Sequence, residues 1–227
     1  MQETLNFGES EKQKISKILD TFEQAKITNY FEEKRVKHKD CTITLYSSGK
    51  ISIQGQNASQ VKEEILSKMN LKKELVIGID ETGRGERDGP MVITGVLGNT
   101  NELRELRDSK KTGDIAKKEK IVSEKMLGSV TVTLNSKLID IARNKGKNLN
   151  ELEIKTIEKI SEILSFFEDA KIIVDGAPLK TQKKDIEFVP KADDIEPVVG
   201  AASVIAKHTR NNSQDKEERK TWKKKSI

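Results

Sequence analysis

Acidic residues border apolar runs at three places in this sequence. The four that could act together are Asp80, Glu81, Asp175 and one of the adjacent Asp193 and Asp194. Carboxylates at the ends of buried strands meet at one edge of an α/β sheet, where ligands usually bind. At about 4 Å two such charges repel by about 1 kcal/mol in water and about 4 kcal/mol at an effective dielectric near 20. They would therefore take up protons unless cations bound them, and an all-oxygen cluster suits two Mg²⁺ or Mn²⁺ ions, the usual device for displacement at phosphorus.

A glycine-rich segment follows the first two acids. Gly83, Arg84 and Gly85 lie where backbone can approach a ligand closely, because glycine has no Cβ. The segment is not a dinucleotide-binding fingerprint, since its spacing is GxGxxxG and an apolar strand follows where a helix is required. It is not a phosphate loop either, because no GxxxxGK[ST] occurs.

Composition restricts the kind of metal site. The 227 residues include one cysteine, Cys41, and two histidines, His38 and His208, which excludes a disulfide framework and a cysteine-based zinc site. Any metal must therefore be held by oxygen. No apolar run approaches the roughly 20 residues that span a bilayer, and the polar start lacks the apolar region of a signal peptide. We expect a cytoplasmic protein without membrane contact.

The net charge of +5 suggests a polyanionic partner, but its distribution is uneven. Residues 215–227 carry six basic and three acidic side chains, which is most of the excess. We expect this basic tail, with Arg219, Lys220 and Lys223 to Lys225, to be a mobile arm that adds salt-sensitive, sequence-independent affinity for nucleic acid.

The elements that must position the acids alternate between strands and helices. Apolar runs predict strands over 75–79, 91–97, 129–134, 171–175 and 186–189. Helical spacing predicts a long helix over 152–167 and a final helix with Pro197 at its first position. This order indicates an α/β domain over residues 71–214, with helices packed on a mixed sheet.

A smaller α+β domain is predicted for residues 1–70. Apolar residues at helical spacing indicate a helix over 10–26, and alternating residues indicate a hairpin of strands 41–46 and 51–54. Asn57 or Ser59 can cap a second helix. A domain of this size buries only about 60% of its unfolded surface, which suits a binding module better than a catalyst.

Four segments in order resemble the motifs of the type 2 ribonuclease H family. They are GIDETGRG, RDSKKT, IIVDG and KADDIEPVVGAASVIAKHTRN, within roughly residues 74–212. The resemblance implies the ribonuclease H fold and hydrolysis of the RNA strand of RNA–DNA hybrids, leaving a 3′-hydroxyl and a 5′-phosphate.

The resemblance also assigns roles to residues. It implies that Asp80, Glu81, Asp175 and Asp193 are the catalytic metal ligands, with Asp193 preferred to Asp194 because it directly follows Lys-Ala and stands four residues before the proline. It implies that Gly83, Arg84 and Gly85 sense the ribose 2′-hydroxyl, the atom that distinguishes RNA from DNA. The other implied substrate contacts in this domain are Ser109, Lys110, Ser203 and Lys207.

Residues 44–55 resemble the hairpin of the TATA-binding-protein-like domain that precedes the catalytic domain in ribonuclease HIII. This implies that the first domain holds the hybrid, with Tyr46, Lys50 and Gln54 as candidate contacts. Arg84 in the glycine turn is instead the ribonuclease HII form. Ribonuclease HII also carries a late tyrosine that stacks on the sugar after a single embedded ribonucleotide. This chain has no tyrosine after Tyr46, so cleavage at that junction would require Trp222 to substitute.

We therefore expect a monomeric, two-metal endoribonuclease of RNA–DNA hybrids that removes RNA from DNA during replication or repair. One alternative is a non-catalytic hybrid-binding protein, although a pure binder of polyanions gains nothing from a cluster of acids. A second is another two-metal nuclease of the same superfold, because fold alone does not separate the two.

Overall fold

The computed structural model describes residues 2–69, 74–104 and 115–222. These residues form two compact units, one up to residue 69 and one from Glu74 onward. Ser109, Lys110 and Lys223–Lys225 lie outside the described residues.

The first unit is a five-stranded antiparallel sheet with two helices on one face. Its elements are β1 (Gln2–Asn6), α1 (Glu9–Leu19), β2 (Glu23–Gln24), β3 (Glu32–His38), β4 (Cys41–Tyr46), β5 (Lys50–Gly55) and α2 (Ala58–Met69). The strand order is β1-β5-β4-β3-β2. Alternate residues of β4 and β5, such as Ile43 and Ile53, are buried together with apolar residues of both helices. The opposite face of the sheet is polar.

The predicted hairpin of this unit is confirmed, and its first helix is shorter than predicted. β4 pairs with β5 across a turn in which Gly49 has a φ of +80°. α1 ends at Leu19 because Thr21 and Gln24 donate side-chain hydrogen bonds to its last carbonyls. The sequence analysis did not predict β1 or β3, since β3 carries one fully buried apolar residue, Val36, among charged ones.

The second unit is a mixed sheet between helices. Its elements are β6 (Leu75–Thr82), β7 (Met91–Asn99), α3 (Thr100–Leu103), α4 (Ile115–Lys125), β8 (Gly128–Leu134), α5 (Ser136–Asn144), α6 (Leu149–Ser165), β9 (Lys171–Asp175), β10 (Ile186–Val189), α7 (Ala192–Ile195) and α8 (Pro197–Asn211). The strand order is β10-β9-β6-β7-β8. β6 is parallel to β9 and antiparallel to β7, which confirms the predicted mixed sheet flanked by helices.

Glycines on the central strands let helices approach both faces. A Cβ at Gly78 would lie 2.4 Å from the backbone nitrogen of Val199, so the start of α8 rests directly on β6. A Cβ at Gly95 would lie 2.3 Å from Cγ2 of Ile160, which packs α6 against the other face. α8 begins at Pro197 as predicted. The two faces form separate apolar cores that enclose β6.

No helix among the described residues is long and apolar enough to span a bilayer.

Candidate active site

The end of β6 carries two carboxylates on opposite faces of the sheet. Successive side chains of a strand alternate, so Asp80 lies on the face of Gly78 and α8, while Glu81 lies on the face of α6. Asp80 is 4% exposed, and Glu81 is half-buried. The two carboxylates therefore lie on either side of the sheet at the end of the central strand.

Asp175 and Asp193 come to the same edge from the neighbouring strand. β9 runs parallel to β6 with Val174 opposite Ile79, which places Asp175 beside Asp80. Asp175 Oδ1 accepts a hydrogen bond of 2.7 Å from the Ala192 N–H at the start of α7, whose first turn includes Asp193. One carboxylate therefore fixes the position of the helix that carries the next.

Burial and mutual repulsion disfavour charge on the β6 carboxylates. Burial, with the charges of Asp175 and Asp193, raises the pKa of Asp80 to about 6. Burial, with the charges of Asp80 and Glu153, raises the pKa of Glu81 to about 7. Without a cation to compensate their charge, these two groups take up protons at a higher pH than an ordinary carboxyl does.

Basic and hydroxyl groups offset part of this repulsion. The Ser203 hydroxyl on α8 hydrogen-bonds Asp80, and the charge of Lys207 also lowers the pKa of that carboxyl. Lys207 Nζ donates to Ser203 Oγ at 2.7 Å. Ser203 is buried and Lys207 is exposed, so a chain of contacts runs from solvent to Asp80.

The donor set fits a hard divalent cation. The groups that act on one another at this edge are carboxylates, the ligands that Mg²⁺ and Mn²⁺ prefer. Within the described ranges, no three Asp, Glu, His or Cys side chains converge closely enough to form a metal site.

Glu153 is a further carboxylate of this site that sequence reasoning missed. It lies in the second turn of α6, raises the pKa of Glu81, and forms a 2.7 Å ion pair between its Oε2 and Arg84 Nε. Arg84 also donates to the side chain of Asn150. The apolar periodicity of α6 gave no sign that an acid within it faces inward.

The glycine turn is tightly packed at its first residue. Gly83 has a φ of +81°, and a Cβ there would lie 2.4 Å from both Arg210 Nε and the Pro90 carbonyl oxygen. Arg210 donates to the carbonyls of Pro90 and Asp88 at 3.2 and 3.0 Å. A Cβ at Gly85, by contrast, would meet nothing within 4 Å, so this part of the backbone is open to a ligand.

Arg219 holds the same turn, and the prediction that it lies in a mobile arm is wrong. Its side chain is 1% exposed. Its guanidinium donates to the carbonyls of Gly89, Arg84 and Gly83 at 3.0, 3.3 and 2.7 Å. The sequence suggested that the positive charge of Arg219 binds nucleic acid. The guanidinium instead donates hydrogen bonds to backbone carbonyls inside the protein.

The rest of the described tail also packs on the second unit. Asp215 accepts hydrogen bonds from the N–H and hydroxyl of Ser136, and Asp140 accepts them from the N–H groups of Lys220 and Thr221. Trp222 follows, and it lines a cleft of about 720 Å³ with Arg143, Lys147 and Lys220. Residues 215–222 are therefore part of the folded unit.

The candidate contacts of the first unit lie on one surface. Tyr46, Lys50 and Gln54 alternate with the core residues of β4 and β5, so all three belong to the polar face of that sheet. Gln54 is exposed, while Tyr46 and Lys50 are half-buried. This polar face also includes Thr44 and Ser52.

Comparisons with known proteins match the two parts of the chain separately. The family model described as Ribonuclease HII matches residues 77–226, and a Domain of unknown function (DUF3378) matches residues 5–75. A ribonuclease HII from Hyperthermus butylicus is 35% identical over 154 residues, 60% of this chain and 62% of that protein. The chain therefore spans less than two thirds of that relative.

Two solved structures share the fold. The crystal structure of Aquifex aeolicus RNase H3 covers 93% of this chain and 85% of its own, with a TM-score of 0.53 at 21% identity. That of Bst-RNase HIII in complex with Mn²⁺ covers 93% and 81%, with a TM-score of 0.55 at 20% identity. This chain belongs to the ribonuclease HII family, and it carries an N-terminal domain typical of ribonuclease HIII.

Proposed function

We propose that this protein is a metal-dependent endoribonuclease that hydrolyses the RNA strand of RNA–DNA hybrids, leaving 3′-hydroxyl and 5′-phosphate ends. The observation that carries the proposal is the burial of Asp80 and Glu81 at the end of β6, within electrostatic range of Asp175 and next to a glycine turn that is open at Gly85. Burial raises the pKa of Asp80 to about 6 and that of Glu81 to about 7, which indicates a site poised for cations. We further propose that it acts as a monomer in the cytoplasm, on RNA left in DNA by replication or repair.

Asp80, Glu81, Asp175 and Asp193 would hold two Mg²⁺ or Mn²⁺ ions. Bound there, the ions would supply an activated water and stabilise the charge of the leaving 3′-oxygen. Asp193 is preferred to Asp194 because Asp193 is half-buried and acts on the pKa of Asp80, whereas Asp194 is exposed.

The protein's own residues would orient the substrate. Arg210 and Arg219 donate hydrogen bonds to the backbone carbonyls of residues 83, 84, 88, 89 and 90. These bonds would fix the turn while Gly85 stays open to the ribose. A preset turn costs little ordering entropy when substrate binds. Lys207 would place positive charge near a phosphate next to Asp80.

Paired substitutions test the ligand assignment. D80N and D193N should abolish cleavage of a hybrid in Mg²⁺ while leaving its binding nearly intact, because each removes a metal ligand without unfolding the sheet. D194N is the matched control, since it makes the same chemical change one residue away on an exposed side chain. Wild-type cleavage by D80N would contradict the proposal.

A second candidate, a nuclease that accepts DNA in both strands, differs in what it cuts. The open backbone at Gly85 favours a reader of the ribose 2′-hydroxyl. Cleavage of an all-DNA duplex at a rate similar to that of a hybrid would favour this second candidate.

We propose that the first unit binds the hybrid through the polar face that carries Tyr46, Lys50 and Gln54. Substrate length tests which branch of the family the chain follows in function. Comparing a duplex that contains one ribonucleotide with a long hybrid, in Mg²⁺ and in Mn²⁺, separates the two. Cleavage of the long hybrid alone would agree with ribonuclease HIII, and cleavage of both would assign Trp222 the missing stacking role.

A further inference from the structure

An exposed pair of aromatic rings stands on the loop between β2 and β3. Tyr30 is 94% exposed and Phe31 is 66% exposed. Their ring centroids lie 5.7 Å apart at an interplanar angle of 80°, an edge-to-face contact. Ile27, 47% exposed, lies in the same loop. We refer to residues 27–31 as the aromatic tip.

The aromatic tip is held in place by a buried carboxylate. Glu32 accepts hydrogen bonds from the Thr28 N–H and hydroxyl, from Asn29 Nδ2 and from Arg35 Nη1, at 2.8 to 3.0 Å. Asn29 Oδ1 accepts from the Phe31 N–H at 3.0 Å. The Glu32 carboxylate therefore holds both backbone and side-chain groups of the loop in place.

The aromatic tip is also joined to the polar face of its sheet. The Ser47 N–H donates to the Phe31 carbonyl at 2.9 Å, and Glu32 pairs with Tyr46 in the β3–β4 register. Tyr30 and Phe31 therefore lie next to one end of the candidate hybrid-binding surface.

A rigid loop that displays two aromatic rings is organised for binding. Tyrosine and phenylalanine each bury 150–250 Å² when covered, as a general range, and this surface is left open here. Because the loop is already ordered, covering the rings costs little further entropy. Isolated exposed apolar residues need no explanation, but two adjacent exposed rings on a hydrogen-bonded loop indicate a contact site.

We propose that the aromatic tip binds unpaired nucleotides that flank an RNA–DNA hybrid, by stacking Tyr30 and Phe31 on their bases. This inference rests on the proposed function, because it extends the proposed hybrid-binding face. Bases inside a duplex are stacked on both sides and a terminal pair leaves one free face, so only unpaired nucleotides offer free base faces to both rings. Such stacking tolerates any sequence, since every base has a π-face.

Charge at this place favours a polyanion over a basic partner. Within four residues of the rings there are three basic side chains (Lys26, Lys34 and Arg35) and two acidic ones (Glu32 and Glu33), a net charge of +1, and Lys37 follows on the same strand. A second exposed pair, Phe166 and Phe167, has nearly the same ring geometry, with centroids 5.5 Å apart at 87°. Its sequence neighbours are Glu162, Glu168 and Asp169, which would repel a polyanion.

The two pairs allow a matched experiment. The parent is D80N, so that binding is measured without cleavage, by fluorescence anisotropy at one fixed salt concentration. Each protein is titrated with a blunt hybrid and with the same hybrid carrying a five-nucleotide single-stranded extension. Adding Y30A/F31A should raise the Kd for the extended hybrid about tenfold and leave the Kd for the blunt hybrid unchanged. Adding F166A/F167A should change neither.

The outcomes separate this inference from the proposed function. If D80N binds no hybrid at all, the proposed function fails. If D80N binds both hybrids and Y30A/F31A weakens neither, or weakens both equally, only the inference fails, and the aromatic tip contacts a protein or the duplex itself. Y30A alone, which alters a side chain that is almost fully exposed, guards against loss of folding and should show part of the same selective effect.

Discussion

Two buried acidic sites, one in each unit, show opposite electrostatics. Glu32 in the first unit is 7% exposed, and Asp80 in the second is 4% exposed. The Thr28 backbone N–H, together with Arg35, holds the pKa of Glu32 below its ordinary value. Burial raises the pKa of Asp80 to about 6.

The difference lies in hydrogen-bond donors. Glu32 accepts four hydrogen bonds, one of them from an arginine. Asp80 faces Asp175 and Asp193, and Ser203 and Lys207 offset their charges only in part. Burial alone therefore does not decide the charge of a carboxylate. A carboxylate that accepts a full set of hydrogen bonds stabilises the local structure, whereas a carboxylate that faces other carboxylates is suited to binding a cation.

The largest effect that would test this comparison is on catalysis. D80N should reduce hybrid cleavage by about 10³-fold or more, because Asp80 is a proposed metal ligand and a catalytic metal supplies several kcal/mol of transition-state stabilisation. It should not destabilise the cation-free protein, since it removes a disfavoured charge. Single-turnover rates and urea unfolding in EDTA measure the two effects. A D80N protein that is much less stable would break the comparison.

Arg219 extends the comparison to a buried cation. R219M should lower the free energy of unfolding by roughly 1–3 kcal/mol, because three carbonyls of the glycine turn lose their donor. Urea unfolding checks this, and R87M, which removes an arginine paired with Glu218 on the surface, is the control. Equal stability of R219M and wild type would show that the turn does not depend on Arg219.

Replacing Glu32 should destabilise the protein, whereas D80N should not. E32Q should lower the midpoint of thermal unfolding of the first unit by about 5 °C, because an amide cannot accept all four of its hydrogen bonds. Circular dichroism on heating measures it, with E33Q on the neighbouring exposed side chain as the control. An unchanged midpoint would mean that Glu32 is not the anchor of its loop.

The pH dependence of stability separates the two sites. The raised pKa values of Asp80 and Glu81 mean that the native state binds more protons than the unfolded state between about pH 4 and pH 7. Their contribution to stability is therefore lost as pH rises through that window. The lowered pKa of Glu32 acts in reverse, and its contribution is lost as pH falls below the ordinary value of 4.5.

Urea midpoints in EDTA from pH 3 to pH 8 test these signs. D80N/E81Q should flatten the decline between pH 4 and pH 7, and E32Q should flatten the acid side only. Mg²⁺ should stabilise the wild type more at pH 8 than at pH 5, because cations bind the deprotonated acids. If stability declines equally in the wild type and in D80N/E81Q, other titrating groups cause the decline.

The smallest predicted effect concerns Arg84. Its charge lowers the pKa of Glu81, so R84M should move the acid limb of the pH–rate profile to higher pH by roughly one unit or less. R84K should restore most of the wild-type profile. A profile that does not move in R84M would mean that Arg84 acts only through its contacts with Glu153 and Asn150.

The sequence was most informative where local pattern determines position. Asp80 and Asp175 end apolar strands, so their convergence followed from the behaviour of parallel strands. The start of α8 at Pro197 followed from local backbone preference. The catalytic roles of these acids remain predictions until the substitutions are made.

The contacts that the sequence did not reveal are long-range ones. Glu153 reaches Arg84 from a helix whose pattern records only its apolar face, and Arg219 reaches Gly83 across 136 residues. Arg219 lies among lysines in a charged run, where solvent exposure is the ordinary expectation. β3 was not predicted because tertiary pairing, rather than its own composition, makes it a strand.

The contacts of Arg219 also bear on the order in which the protein matures. The glycine turn next to the first two acids gains three of its hydrogen bonds from a side chain 130 to 136 positions later in the sequence. A ribosome that has made Asp80, Glu81 and Asp175 has not yet supplied the side chain that sets this turn. The three bonds from Arg219 can therefore form only after synthesis has passed residue 219, later than any of those three acids is made.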